Sequence, residues 1–217
     1  LCRILYPFFD TAFIFDSTSC RKEKGTHAAL RRFRALAHIV GKNNSKTCWV
    51  LKCDIRKFFA NNDQNILLGI LSTYIPDQDI HRLLKEIISS FHSIEIGKGL
   101  PLGNLTSQLL VNIYMHEFDY YMKHYLKATH YIRYADDFAI LSLDKKLLIQ
   151  LVPKIQNTLA DLLKLQLHPN KVSIETLASG VDFLGWVHFS DHRVPRPATV
   201  RRMMRRIAQH PTPETLQ

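Results

Sequence analysis

The sequence predicts an α+β domain with a ferredoxin-like antiparallel sheet and helices packed on one face of it. The first observation behind this prediction is the order of elements from residue 48 onward, which runs strand, helices, strand hairpin, helix and strand. The second is that the spacing of apolar residues differs between the helical and the strand stretches. The helical stretches repeat apolar residues every three or four positions, whereas the strand stretches are dense in β-branched and aromatic residues. Strands separated by helices in this way favour a sheet that packs against those helices.

Each element follows from a local pattern. Residues 1–47 are basic and mixed, with one helical stretch at 26–40, and an apolar strand follows at 49–55. Asn62-Asp63 is the candidate cap of a helix that ends before Pro76, and a second helix comes directly after it. The later predicted elements are a long helix at 105–127, a hairpin at 131–141, a leucine-rich helix at 147–162, and strands at 172–174 and 183–189.

The composition favours a nucleic-acid partner. The chain of 217 residues carries a net charge of +10 and has a pI near 9.5. Such a charge suits a polyanion, either nucleic acid or an anionic membrane surface. No apolar stretch approaches the ~20 residues that span a bilayer, and no helix has the basic amphipathic pattern of a membrane-surface protein. We therefore expect no membrane association.

The four cysteines indicate neither a zinc site nor a disulfide framework. No CxxC pair occurs, and no histidine lies nearby at zinc-finger spacing. Cys48 and Cys53 flank an apolar run, and we expect them to be buried thiols in a reducing cytoplasm. Because the chain opens on Leu1 and ends in a polar segment, we also expect it to be a piece of a longer protein.

Two adjacent acids, Asp136 and Asp137, lie between the two predicted strands of the hairpin. An isolated Asp-Asp pair is usually a solvated turn. Asp54, however, closes the apolar strand at 49–55, and neighbouring strands lie about 4.8 Å apart. If the two strands are neighbours, three carboxylates converge and can hold two divalent ions about 3.5–4 Å apart, as in two-metal phosphoryl transfer. Mg²⁺ suits such a site because it prefers oxygen ligands.

These residues resemble reverse transcriptases. Asp54 in DIRKFF, the loop and helix start GLPLGNLTSQ at 99–108, the YADD turn at 134–137 and FLGW at 183–186 occur in the family's order, and the resemblance extends over residues 16–206. It implies an RNA-directed DNA polymerase with right-hand fingers and palm, two Mg²⁺ ions with Mn²⁺ as a possible substitute, an RNA template, a DNA or RNA primer, and dNTPs. The implied domains are partial fingers at 1–47, a palm at 48–190 with a fingers insertion around 75–100, and the start of a mostly absent thumb at 191–217.

The resemblance also implies roles for individual residues. Asp54 and Asp136 would be the principal metal ligands, supported by Asp137 and the backbone carbonyl of Ile55. Lys171 would protonate the departing pyrophosphate, although a lone lysine is more often a surface residue. The implied dNTP contacts are Arg21, Lys24, Phe58, Phe59 (as the sugar gate), Leu102 and Gly103. The implied template and primer contacts are Ser107, Gln108, Asn112, Tyr134, Phe183, Leu184, Gly185 and Trp186.

Alternatives remain open for several of these roles. Arg21 and Lys24 could equally contact template phosphates, and Phe58 could be a core aromatic. Leu102 and the Ser107-Gln108 pair resemble the enzymes of diversity-generating retroelements, which are bacterial or phage-encoded, copy RNA with errors at adenines and work with a basic accessory protein. The rival interpretations are a group II intron-like, retron or defence-associated reverse transcriptase, and a catalytically inactive nucleic-acid-binding module.

Overall fold

Four antiparallel strands form the central sheet. The computed structural model describes residues 2–93, 95–101 and 103–209. The strands are β1 Trp49–Asp54, β2 Tyr131–Tyr134, β3 Asp137–Ser142 and β4 Ser173–Thr176. Their spatial order is β2-β3-β1-β4. Val50, Leu51 and Cys53 of β1 are fully buried. This burial on both faces explains why the strand is a nearly continuous apolar run in the sequence.

Helices cover both faces of this sheet, whereas the sequence predicted helices on one face. Phe118 of α6 contacts Tyr131 and Phe138 on the first face, where α7 also packs. On the second face α2 packs through Phe33. Both faces need a cover because residues of both parities in β1 are apolar. The helices are α1 Cys2–Asp10, α2 Thr26–Val40, α3 Phe58–Asn61, α4 Gln64–Tyr74, α5 Gln78–Ser89, α6 Leu105–His124, α7 Lys145–Leu163 and α8 Pro197–Gln209.

A second, three-stranded sheet replaces the single strand that was predicted for residues 183–189. Its antiparallel strands are β5 Val181–Phe183, β6 Trp186–His188 and β7 Arg193–Pro195. Leu184 and Gly185 connect β5 to β6 with φ angles of 51° and 83°. Two left-handed residues in a two-residue loop are the mark of a tight hairpin. The single-strand prediction was wrong because leucine is an unusual residue at the first of these positions.

Side-chain caps set where the helices around the site begin. The Asp63 carboxylate accepts hydrogen bonds from two backbone N–H groups at the start of α4, as the sequence predicted. Asp144 caps α7 in the same way, and the Asn104 side chain caps α6 by accepting from one N–H group, that of Thr106. α2 has the predicted bounds, and α6 ends three residues before the predicted position 127. Among the described residues, no helix combines the length and apolar character needed to cross a membrane.

Candidate active site

The pairing of β1 with β3 brings the predicted carboxylates to one end of the central sheet. Asp54 lies directly opposite Asp137 in the antiparallel register. The backbone N–H of Ile55 donates to the carbonyl of Asp136 at 3.1 Å. Residues opposite each other in such a pair place their side chains on the same face. Asp54 is four positions after buried Val50 and therefore on the same face of β1, so the two carboxylates share the face on which α2 packs.

The turn between β2 and β3 is strained at Ala135. Because Tyr134 pairs with Asp137, only Ala135 and Asp136 form the loop. Ala135 has a φ of 54°, a left-handed conformation that is unfavourable for a residue with a side chain and is usually taken by glycine at this position of a hairpin. Strain of this kind persists where the surroundings impose it, and it concentrates at functional sites.

A cavity of about 530 Å³ opens over this end of the sheet. The N-terminal residue of α2, Thr26, lines it, and so does the turn between β5 and β6. Acidic and basic side chains line it in equal number: Asp54, Asp136, Asp137 and Asp182, and Lys52, Lys171, Arg196 and Arg202. The cavity therefore concentrates carboxylates without an excess of negative charge.

Three of the four carboxylates are paired with a cation. The pairs are Lys171 with Asp54, Lys52 with Asp137, and Arg196 with Asp182. The Nζ atom of Lys171 is 3.1 Å from both carboxylate oxygens of Asp54. The loop that carries Lys171 is itself held at the end of β1, because the His168 N–H donates to the Asp54 carbonyl at 2.7 Å. Within the described part of the chain, no ion pair involves Asp136.

Burial and mutual repulsion disfavour the charged forms of the two turn carboxylates. Burial raises the pKa of Asp137 to about 7; Lys52 opposes this rise, and the neighbouring acids, Asp54 first, add to it. Burial also raises the pKa of Asp136, with a further contribution from Asp54. Oδ1 of Asp137 is buried and has no hydrogen-bond partner among the described residues. A cation in this cavity would stabilise the ionised carboxylates.

The three predicted carboxylates lie at one end of the sheet, and their role as metal ligands stays a prediction. Across residues 2–93, 95–101 and 103–209, no group of three or more His, Cys, Asp or Glu side chains could hold a metal ion. Asp54 pairs with Lys171, and Asp137 pairs with Lys52. The residues still fit Mg²⁺, which is usually bound by one or two carboxylates and completed by substrate phosphates and water.

Comparison with known families identifies the chain. A model described as "Reverse transcriptase (RNA-dependent DNA polymerase)" matches residues 3–188. The chain belongs to this family. The predicted α+β fold of reverse transcriptase fingers and palm is thereby confirmed, and the two antiparallel sheets packed on helices agree with it.

Relatives of this reverse transcriptase chain are distant in sequence. Protein YkfC of Escherichia coli strain K12 is 26% identical, with 82% of this chain and 56% of YkfC covered. The group II intron-encoded protein LtrA of Lactococcus lactis subsp. cremoris is 26% identical over 54% of this chain and 19% of LtrA. A telomerase structure from Candida tropicalis has a TM-score of 0.69 at 13% identity, covering 89% of this chain and 44% of that one, which shows likeness of fold alone. The chain thus spans about half the length of YkfC and less of LtrA.

The two predicted triphosphate contacts of the reverse transcriptase chain, Arg21 and Lys24, are not among the residues that line the cavity. The side chain of Arg21 is 5% exposed. Its guanidinium donates to Oδ1 and the carbonyl of Asp10 and to the carbonyls of Ile14 and Ser17. Lys24 donates to the carbonyl of Phe15 at 2.6 Å. The prediction for Arg21 is corrected, because its donors already hold the loop before α2 together.

The residues predicted to surround the nucleotide differ in how deeply they are buried. Phe58 is 2% exposed and belongs to the core, so its predicted contact with the nucleotide is corrected. Phe59 is half-buried and packs edge-on against Phe58. Gly103 is exposed with a φ of 80°. Leu102 lies outside the residues that the structure describes.

The predicted template contacts on α6 are mostly inside the protein. Ser107 is 2% exposed and Asn112 is 1% exposed. The Asn112 amide donates to the carbonyl of Ser19, and its oxygen accepts from Arg133. Direct template contact by Asn112 is therefore corrected, because its polar atoms have partners within the protein. Gln108 is half-buried and lines a separate cavity of about 300 Å³.

Of the predicted primer residues in the β5–β6 hairpin, three line the main cavity and one is buried in the core. Leu184, Gly185 and Trp186 line the main cavity, as does Tyr134 from the strand before the acidic turn. Phe183 is instead fully buried and stacks on Phe33 of α2 at a centroid distance of 4.9 Å. Its predicted primer contact is corrected, because it serves the core between α2 and the small sheet.

Sequence reasoning missed several side chains of the cavity. Lys52 precedes Asp54 by two positions on β1, and this period-two spacing could have placed both on one face. Thr26 was predicted to begin α2, but its hydroxyl contact with Tyr134 at 3.1 Å depends on the tertiary fold. The pair Asp182 and Arg196 joins two elements whose proximity no local pattern indicates.

Replacing Arg21 with Met is expected to lower the free energy of unfolding by about 2–3 kcal/mol, because it removes charged hydrogen bonds and leaves buried acceptors unpaired. The measurement is the urea midpoint in the absence of nucleotide and nucleic acid. The matched control is Lys22→Met on the exposed neighbouring side chain, which should change little. A midpoint that Arg21→Met leaves unchanged would contradict the structural role.

Proposed function

We propose that the chain contains the polymerase active site of an RNA-directed DNA polymerase that copies an RNA template into cDNA. The observation that carries the proposal is the β1–β3 register, which places Asp54 opposite Asp137 and beside Asp136 over an open cavity. A chain of this family with intact acids at these positions is better suited to nucleotidyl transfer than to binding alone. Carboxylates facing phosphates weaken the binding of nucleic acid unless cations are present.

Asp54 and Asp136 are the proposed principal ligands of Mg²⁺ or Mn²⁺, with Asp137 and the Ile55 carbonyl in support. When bound, such ions lower the pKa of an attacking hydroxyl and stabilise charge on phosphoryl oxygens. Lys171 is 54% exposed and lies beside Asp54, so its ammonium can deliver a proton to departing pyrophosphate at the same site.

The partners we propose are an RNA template, a DNA or RNA primer and dNTPs. The net charge of +10 suits them. The turn at Leu184 and Gly185 would contact the primer end beside the carboxylates. We propose fingers at 1–47, a palm at 48–190 with a fingers insertion around 75–100, and the start of a thumb at 191–217. α8 belongs to the last segment, and Arg201, Arg202, Arg205 and Arg206 on it are exposed.

Two subtypes of reverse transcriptase are candidates. Leu102 with Ser107 and Gln108 supports the diversity-generating type, which is error-prone at template adenines and works in bacterial or phage contexts with a basic accessory protein. The likeness to a protein named as group II intron-encoded favours the second candidate, a group II intron-like enzyme. The error spectrum distinguishes the two.

Asp136→Asn is expected to lower the rate of primer extension on RNA with Mg²⁺ and dNTPs by at least about 100-fold, because it removes a charged ligand from the site of phosphoryl transfer. If the 217 residues do not retain primer, the same variants are compared in a longer chain that contains them. The control Asp161→Asn changes an exposed acid on α7 and should retain activity. Extension at the wild-type rate by the Asp136 variant would exclude the proposed mechanism.

Phe59→Ala is expected to raise ribonucleotide incorporation relative to deoxyribonucleotide incorporation by about 10- to 100-fold, because loss of the ring removes a clash with the ribose 2′-OH. The ratio of kcat/KM for rGTP and dGTP measures the effect. Phe8→Ala, which removes a half-exposed ring from α1, should leave this ratio unchanged. If Phe59→Ala also left this ratio unchanged, the sugar-gate role of Phe59 would be excluded.

Leu102→Gln is expected to lower misincorporation opposite template adenine by about tenfold, because the amide introduces a hydrogen-bonding group where this chain has an aliphatic side chain. Sequencing of cDNA made on a defined RNA measures the error at each base, with errors opposite the other bases as the internal control. If wild-type errors are not enriched at adenines, the group II intron-like candidate is favoured. An adenine error rate unchanged by the substitution argues against a role of Leu102 in fidelity.

A further inference from the structure

Arg133 of β2 is fully buried beneath the acidic turn, and each of its five guanidinium N–H groups has an acceptor. Nε and one Nη2 hydrogen donate to the two carboxylate oxygens of Asp119, at 2.8 and 2.6 Å. The second Nη2 hydrogen donates to the hydroxyl of Ser17 at 2.9 Å. Nη1 donates to the Ala135 carbonyl at 3.1 Å and to the Asn112 side chain at 3.4 Å. The guanidinium therefore has one fully determined orientation.

The contact with Ala135 is the one that reaches the candidate active site. Ala135 has the left-handed backbone of the acidic turn and directly precedes Asp136. A backbone in this conformation relaxes unless an outside contact holds it. The Arg133 guanidinium supplies that contact from beneath the turn, on the side away from solvent.

The other acceptors fix Arg133 to the rest of the domain. Asp119 lies on α6 and is buried, and it also accepts a hydrogen bond from the Tyr131 hydroxyl at 2.6 Å. Asn112 lies two turns earlier on the same helix. On the other side, the Thr18 N–H donates to the carbonyl of Arg133 at 3.0 Å, and the Arg133 N–H donates to the carbonyl of Asp16 at 2.9 Å. These contacts therefore fix the position of the turn relative to α6 and to the segment before α2.

Stability alone explains this cluster poorly. Burying two charges is costly, and buried ion pairs can often be replaced by apolar side chains of similar size without loss of stability. An apolar pair, however, could not donate to the Ala135 carbonyl. Of the acceptors outside the ion pair, the Ala135 carbonyl is the one in the acidic turn, so this hydrogen bond links the buried cluster to the candidate active site.

We propose that Arg133 is a positioning residue that holds the Ala135 carbonyl and thereby fixes Asp136 relative to Asp54. This inference rests on the proposed function, since positioning matters only if the carboxylates act on a substrate. Arg133 itself touches no substrate, because its side chain is fully buried. Its loss should lower the rate of the chemical step and leave the affinity for primer and nucleotide nearly unchanged.

The test is the double variant Asp119→Leu with Arg133→Met, in which an apolar pair replaces the ion pair. Circular dichroism and thermal unfolding establish that it folds. We expect kcat of primer extension to fall by about 10- to 100-fold, since a displacement of about 1 Å has this effect on catalysis, while KM for dNTP changes less than about threefold. Hydrogen exchange at the Ile55 and Asp137 amides should quicken, because both adjoin the turn.

The matched control, Tyr131→Phe, removes a hydrogen bond to the same Asp119 oxygen without touching Ala135. It should leave kcat and the exchange of these amides unchanged.

The possible results separate the two proposals. A wild type that lacks polymerase activity both as these 217 residues and in the longer chain overturns the proposed function, whereas the exchange measurement still tests whether Arg133 holds the turn. An active wild type together with a folded double variant of equal kcat and equal amide exchange overturns the role of Arg133. If the double variant does not fold, Arg133→Lys keeps a cation for Asp119 without the fork that reaches Ala135, and the same losses are expected from it. Wild-type kcat and exchange in Arg133→Lys would likewise overturn the role.

Discussion

The hydrogen-bonded pairing of β1 with β3 is the constraint on which the rest of this structure depends. It places Asp54 opposite Asp137. Because side chains alternate along a strand, a slip of one residue would turn Asp54 toward the face covered by α6 and α7. The slip is opposed by burial on both faces, since Val50 and Leu51 would exchange environments at the same time. The core therefore fixes the register, and the register fixes the site.

The two faces of the sheet serve different purposes because their helices end at different places. α6 and α7 cover one face with a continuous apolar core. On the other face α2 begins only at Thr26 and leaves the end of the sheet open as the cavity. Gly25 precedes it with a φ of 105°, which residues with a side chain rarely adopt, and its N–H donates to the Thr18 carbonyl at 2.8 Å. A backbone turn that suits glycine thus determines where the cover stops and the site begins.

Local patterns predicted the parts of the molecule that local forces determine. The bounds of α2, the cap at Asp63 and the acidic hairpin all follow from periodicity and turn chemistry within a few residues. The partners of polar side chains did not follow, because those partners are distant in the chain. Arg21 looks like a free cation in the sequence, yet its acceptors are carbonyls of a folded loop. Phe183 looks like part of an exposed motif until α2 packs on it.

The equal number of acids and bases in the cavity has a consequence for whatever enters it. Lys171 and Arg196 already pair with Asp54 and Asp182, so an incoming phosphate competes with these carboxylates for the two cations. When a polyanion enters the cavity, its phosphates therefore replace carboxylates of the protein as partners of these cations. Once Lys171 turns to a phosphate, Asp54 needs a new positive charge, and a cation that arrives already bound to that phosphate can supply it. For the proposed polymerase, a nucleotide and its cation would then enter as one electrically matched unit.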